Sequence, residues 1–213
     1  MLIVENVISG YRYKPVIKKV SLDLSPGEKA IIYGSAHCGK TTLLKTLSGQ
    51  LMPISGAVFL NFLPILDYSR NELDKQLYFI PQDFPKTTET VADFYLKNKL
   101  SKSPVIYCHK IYENFYNKKL TDLPLFEHRI MQLAAATTRR LVVFDEPFAF
   151  LSYREKTLLF NIINSLDKCT FLISETTETP LPLQGWKAYH LHDGVINLNI
   201  PENNRFHEKI IYM

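Results

Sequence analysis

The chain has 213 residues, 46% hydrophobic and 22% charged, which suits one compact core and excludes a disordered chain; its net charge of +4 does not by itself point to an anionic partner. No apolar run approaches the roughly 18 residues of a membrane span, and Glu5 interrupts the first apolar stretch, so the start does not read as a secretory signal. Three scattered cysteines, Cys38, Cys108 and Cys169, form neither a disulfide framework nor a zinc pattern, and the chain is expected in the cytoplasm, with any membrane role exercised through a partner.

In chain order, Leu2-Ile3-Val4, Val16-Ile17 and Val20-Ser21-Leu22-Asp23-Leu24 predict short strands, and Ser25-Pro26-Gly27-Glu28 a turn. Ala30-Ile31-Ile32-Tyr33 is short and β-branched, the pattern of a buried strand. Residues 41–48 have helical spacing, and Gly49 can end that helix. Residues 56–61 and Leu77-Tyr78-Phe79-Ile80 predict further strands, the second closed by Pro81. Residues 91–117 are aromatic, lysine-rich and helical in character, and a second helix is expected over about 125–138. Leu141-Val142-Val143-Phe144 is a buried strand. Residues 155–165 read as a helix and residues 170–174 as a strand. Asp193-Gly194 between residues 188–192 and 195–199 is a hairpin signal. Strands alternate with helices through the middle, so the fold class is α/β: a mainly parallel sheet flanked by helices. Antiparallel strands from both chain ends would lie beside it, residues 83–137 would form a small helical lobe, and 1–213 would be a single domain.

The strongest chemical signal is Gly34-Ser35-Ala36-His37-Cys38-Gly39-Lys40-Thr41, followed by Thr42. It fits G-x-x-x-x-G-K-[ST] between a predicted strand and a predicted helix. The glycines let the backbone curl so that successive N–H groups point at phosphate oxygens, and the helix start adds its positive dipole end. Lys40 would reach the β- and γ-phosphates of ATP, and Thr41 would offer a hydroxyl to Mg²⁺. The second signal is Leu141–Phe144 ending in Asp145-Glu146-Pro147. A buried strand would deliver both carboxylates to the carboxyl edge of the sheet, where open α/β sheets bind ligands. Asp145 could hold Mg²⁺, and Glu146 could orient or deprotonate the attacking water.

These motifs and their surroundings resemble the ATP-binding-cassette (ABC) ATPases over nearly the whole chain. Glu5-Asn6-Val7, Val16 to Leu22 and Pro26-Gly27-Glu28 match that family's N-terminal strands, an antiparallel β subdomain. The resemblance puts Tyr11 at the adenine-stacking aromatic, with Tyr13 as the alternative. Phe79-Ile80-Pro81-Gln82-Asp83 is similar to the glutamine loop, which implies that Gln82 touches Mg²⁺ and the attacking water. Leu191 to Ile196 resembles the closing hairpin. The implied cofactors are ATP and Mg²⁺. The implied partners are a transmembrane permease subunit and a second ABC ATPase subunit, in a homo- or heterodimer; no nucleic acid is expected.

The chain departs from the family at three points. The signature segment, a serine and two glycines that reach across a dimer to the partner's γ-phosphate, aligns with Leu123-Pro124-Leu125-Phe126-Glu127-His128-Arg129. Pro124 has no N–H or hydroxyl to donate, and Leu125 and Phe126 are bulky where close backbone approach is needed. Ser152 stands at the aspartate that ends the loop after Glu146-Pro147. Glu175 stands at the histidine that senses the γ-phosphate, and a carboxylate there would repel it. The resemblance therefore implies an ATP-binding, ATP-hydrolysing subunit that drives a separate permease by nucleotide-dependent dimerisation. Two alternatives stay open: the weakly hydrolysing half of an asymmetric pair or a nucleotide-gated scaffold, and a cell-envelope or division ATPase.

Overall fold

The computed structural model describes residues 1–83, 86–176 and 183–199. Ten strands and six α-helices are found among them. In chain order they are β1 (Leu2–Tyr11), β2 (Lys14–Leu24), β3 (Lys29–Tyr33), α1 (Lys40–Leu47), β4 (Ser55–Leu60), β5 (Leu63–Pro64), α2 (Arg70–Gln76) and β6 (Leu77–Ile80). There follow α3 (Val91–Lys97), α4 (Tyr107–Phe115), α5 (Leu125–Ala136), β7 (Leu141–Phe144), α6 (Tyr153–Asn164), β8 (Thr170–Glu175), β9 (Trp186–His192) and β10 (Val195–Asn199).

The main sheet runs β10-β9-β3-β8-β7-β6. All its neighbours are parallel except β10, which turns back antiparallel on β9. Its central strands are apolar without polar alternation because both faces are covered. Successive residues feed two cores. Ile31, Ile80, Val142, Phe144, Phe171 and Ile173 point to one side, into a core shared with α3, α4, α5 and α6. Ala30, Ile32, Val143 and Leu172 point to the other, into a core shared with α1 and the N-terminal strands. This period of two governs the functional site as well.

The second sheet, β2-β1-β4-β5, is wholly antiparallel and is the β subdomain expected from the resemblance. The expectation that strands from both chain ends flank the main sheet therefore needs correcting. The N-terminal strands form their own sheet, while β9 enters the main sheet in parallel beside β3. The pieces read as separate strands at 16–17 and 20–24 are one strand, β2, whose register against β1 shifts at bulges. The bulges break the alternation on which the sequence reading relied.

Local signals account for the helix boundaries. α2, α3 and α6 start with reciprocal capping boxes, Ser69 with Glu72, Thr90 with Asp93 and Ser152 with Glu155. Each closes two otherwise open helix-end donors. The helical stretch expected over 91–117 is two helices separated by a 3₁₀ turn, Leu100–Lys102. Asn98 ends α3 by donating its side-chain amide to the Phe94 carbonyl at 2.8 Å, and Pro104 forbids a helix through the residue before it. At the hairpin, Asp193 and Gly194 have φ of 47° and 77°, the two left-handed residues a type I′ turn requires. None of the described helices is long and apolar enough to cross a membrane.

Candidate functional site

The loop between β3 and α1 carries the phosphate motif. A side chain on Gly34 would lie 2.6 Å from the Leu191 carbonyl oxygen, so only glycine fits between the loop and β9. Gly39 has φ of 108° and caps α1 without a side-chain hydrogen bond, and the first turn of α1 holds no acidic residue. The first N–H groups of this helix are thus left for an anion. Ala36, His37, Gly39, Lys40, Thr41 and Thr42 line a cleft of about 460 Å³ with Val16, Gln82, Glu146 and Thr176. Ser35 and Cys38 belong to the same loop. Ser35 offers its carbonyl to Lys40 at 3.0 Å, and the Cys38 sulfur packs against Gly34.

Lys40 is almost fully buried. Its Nζ donates to the Gly34 carbonyl at 2.8 Å and lies 3.3 Å from Glu146 Oε1. The strand β7 brings in the two carboxylates. Asp145 is 1% exposed. Thr41 donates its hydroxyl to Asp145 Oδ2 at 2.7 Å, and Ser174 donates to Oδ1 at 2.6 Å. Glu146, the next residue, has φ of 46°, a left-handed conformation in which a non-glycine residue is strained. Its N–H is held by the Ser174 hydroxyl at 3.1 Å. Gln82 Nε2 donates to Glu146 Oε2 at 3.0 Å, and the Thr176 hydroxyl donates to Glu146 Oε1. Lys40, Thr41, Gln82, Asp145 and Glu146 thus come together at the carboxyl edge of the sheet, although they lie as far as 106 residues apart in the chain.

Thr41, Asp145 and Gln82 present a hydroxyl, a carboxylate and an amide carbonyl. These are hard oxygen donors, few in number, which suits Mg²⁺ that keeps waters and phosphate oxygens as its remaining ligands. No cluster of three or more His, Cys, Asp or Glu suited to a metal occurs among the described residues.

Three residues of this site escaped the sequence reading. Ser174 and Thr176 are separated by Glu175 at the end of β8, and strand alternation sends both toward the loop. Glu175 faces the other way. It is 4% exposed, its Oε1 accepts the Phe148 N–H at 2.8 Å, and it does not line the cleft. Glu175 thus lies behind the cleft lining, while its charge still couples to Glu146 and Lys40. Burial raises the Glu175 pKa to about 7. The third residue is Arg129 in α5, which is 1% exposed and donates to the Pro81 and Gln82 carbonyls at 3.1 and 3.0 Å. Burial lowers its pKa to about 10, and neighbouring carboxylates, Glu175 first, oppose that; it stays charged at neutral pH. Burial also takes His128 down to about 4, so that imidazole is neutral. Strand parity was the available signal for Ser174 and Thr176. A charged residue among apolar ones in a helix was the signal for Arg129.

Tyr11 ends β1 and is 48% exposed. It is not among the residues lining the cleft, whose wall on this side is Val16; Tyr13 is 91% exposed. At the signature position, Pro124 caps α5 with no side-chain hydrogen bond, and Leu125 and Phe126 pack against the helical core.

The strand–loop–helix cradle and the convergent carboxylates define a P-loop nucleotide-binding fold. The sequence profile of the ABC transporter family matches residues 17–149, and the chain belongs to that family. It is 27% identical to the taurine import ATP-binding protein TauB of Yersinia pestis over 195 residues, 84% of this chain and 74% of the relative. It is 34% identical over 88 residues to the mitochondrial iron-sulfur clusters transporter ATM1 of Chaetomium globosum, covering 41% of this chain but only 15% of that protein. Among solved structures, cbiO1 from Clostridium perfringens, part of the ABC transporter complex cbiONQ, superimposes with a TM-score of 0.76 over 96% of this chain and 90% of that one, at 21% identity. That likeness is one of fold.

Proposed function

We propose that this chain is the ATP-binding and ATP-hydrolysing subunit of an ABC transporter complex. The observation that carries the reading is the pairing of Lys40 and Gln82 with Glu146 and of Thr41 with Asp145, with Ser174 bridging the Asp145 carboxylate and the Glu146 N–H. In this reading residues 1–213 are one nucleotide-binding domain, with residues 83–137 as its helical lobe. It stands on the cytoplasmic face of a membrane through a permease partner. ATP lies along the loop from Gly34 to Thr42, its phosphates on the start of α1 and its adenine beside Tyr11. Lys40 exchanges its pairing with Glu146 for the β- and γ-phosphates. Thr41, Asp145 and Gln82 would hold Mg²⁺, which would supply charge neutralisation at the phosphates. Glu146 accepts a proton from the attacking water as its oxygen bonds to the γ-phosphorus. The bond from that phosphorus to the bridging oxygen breaks, and ADP leaves with the electron pair.

A second reading has a specific observation behind it. The start of α5 offers Pro124 and two bulky side chains, so it has neither the serine hydroxyl nor the glycine backbone through which the family contacts a partner's γ-phosphate. The chain is then one half of an asymmetric pair: its own site is completed by a partner, and the partner's site is left poor. A cell-envelope or division role differs from transport only in the membrane partner. Related proteins named for import, such as that for taurine, support the transport reading.

The test is ATP binding and hydrolysis by the purified chain beside Glu146→Gln. Turnover by the wild type alone, with ATP bound by both, supports the ATPase reading with Glu146 as base. Binding without turnover in either supports the asymmetric reading. Absence of ATP binding by the wild type sinks both.

A further inference from the structure

We infer that Thr176 is a positioning residue for hydrolysis, one that holds the Glu146 carboxylate over the cleft from the end of β8. The inference rests on the ATPase reading above. It starts from parity. Along β8, Phe171 and Ile173 enter the core of α5 and α6, and Leu172 enters the core of α1. Continuing that alternation puts Ser174 and Thr176 on the α1 side and Glu175 on the other. The contacts agree: Ser174 meets Asp145, Thr176 meets Glu146, and Glu175 meets the Phe148 N–H. Position 175 therefore presents no side chain to the cleft, and among the described residues of this segment Thr176 is the one that lines it.

Consider the partners of Glu146. Its Oε2 receives the amide of Gln82, and its Oε1 receives the hydroxyl of Thr176 and faces the ammonium of Lys40. When Lys40 engages phosphate, its pull on Oε1 falls. Thr176 and Gln82 then remain as the donors that fix where the carboxylate points. A carboxylate held by one donor can rotate about its terminal torsion, which is broad; two donors, one on each oxygen, remove that freedom. Thr176 thereby sets the angle at which Glu146 meets the attacking water, without itself touching the nucleotide. The effect belongs to the transition state, since the loop from Gly34 to Thr42 binds the phosphates independently.

The test compares wild type, Thr176→Val and Thr176→Ser. Valine keeps the shape and removes the donor; serine restores the donor. The expected result is a roughly ten-fold lower kcat for Thr176→Val with KM changed less than about two-fold, and recovery in Thr176→Ser. Binding gives a second readout free of turnover: Thr176→Val should weaken trapping of ADP with aluminium fluoride, which mimics the transferring phosphoryl group, while affinity for ADP with beryllium fluoride holds. Equal kcat and equal trapping in wild type and Thr176→Val would overturn the role of Thr176 and leave the ATPase reading standing. A parallel loss of both fluoride complexes and of ADP affinity would also overturn it, by showing general damage to the site. A wild type that neither turns over nor traps ADP with aluminium fluoride would remove the ATPase reading and this inference together.

Discussion

Replacing Glu175 by Gln should stabilise the protein above neutral pH and flatten part of its pH dependence. Glu175 is 4% exposed, and burial lifts its pKa from the ordinary 4.5 to about 7. The Phe148 N–H opposes the rise, the Glu146 charge adds to it, and Lys156 and Lys40 oppose it; Arg129 is the buried cation on the α5 side. A rise of about 2.5 units, at 1.36 kcal/mol per unit, is roughly 3 kcal/mol of linkage. Below pH 4.5 the folded and unfolded chains both hold the proton, and the contribution is fully present. As pH climbs toward 7 the unfolded chain releases it first, so stability falls, and the loss is complete once pH has passed the folded value. Gln cannot ionise, yet its carbonyl can still accept the Phe148 N–H. Urea unfolding of both proteins at pH 5, 6, 7 and 8 reads the difference directly, because every other titrating group is shared. The variant should gain on the wild type by roughly 3 kcal/mol between pH 5 and 8. For a chain of this size that is of order 6–12 °C in Tm. Parallel stability–pH curves would refute the reasoning and show that Glu175 ionises normally in its buried setting.

Three further outcomes follow from the site. Arg129→Met leaves the Pro81 and Gln82 carbonyls without their donor. Urea unfolding should show a loss of roughly 2–4 kcal/mol, and kcat should fall with it; an unchanged kcat would mean that Gln82 needs no brace from α5. Alkylation of Cys38, whose sulfur packs against Gly34, should abolish ATP binding, and bound ATP should slow the alkylation; full ATP binding by the modified protein would contradict this. Tyr11→Ala should weaken ATP by roughly 1–3 kcal/mol while leaving tripolyphosphate binding unchanged; equal effects on both ligands would take the stacking role away from Tyr11.

The parts of this site that are contiguous in the chain are legible in the sequence. The phosphate loop is one run of residues whose spacing is fixed by how a backbone wraps an anion, and Asp145-Glu146 closes an apolar run too short to be anything but a strand. What escapes reading depends on which way a strand faces. Ser174 and Thr176 are ordinary residues until β8 is placed beside β7 in parallel register, Phe144 opposite Ile173. One step of parity then separates a donor to Glu146 from a buried carboxylate. The helix over residues 70–76 has little apolar periodicity to announce it, although Ser69 and Glu72 spell a capping box. In the stretch 91–117 aromatic and lysine residues mask the break at Pro104 between the two helices. Local chemistry at helix ends was informative in both places and was outweighed by composition.

The same geometry links the two readings of function. α5 begins at Leu125, where the partner-facing turn of the family would be, and Arg129 lies four residues on, about one helical turn or 6 Å along the axis. Its guanidinium holds the two carbonyls that flank the peptide of Gln82, and the Gln82 amide reaches Glu146. A helix transmits displacement along its length because its hydrogen bonds are internal. A partner pressing on Pro124 to Phe126 would therefore move Arg129, and through it the Gln82 amide, relative to Glu146 on β7. A partner docking there, as the asymmetric reading proposes, would find this chain of contacts leading to Glu146. On the asymmetric reading proposed above, added partner should raise turnover in the wild type and leave it unchanged in Arg129→Met.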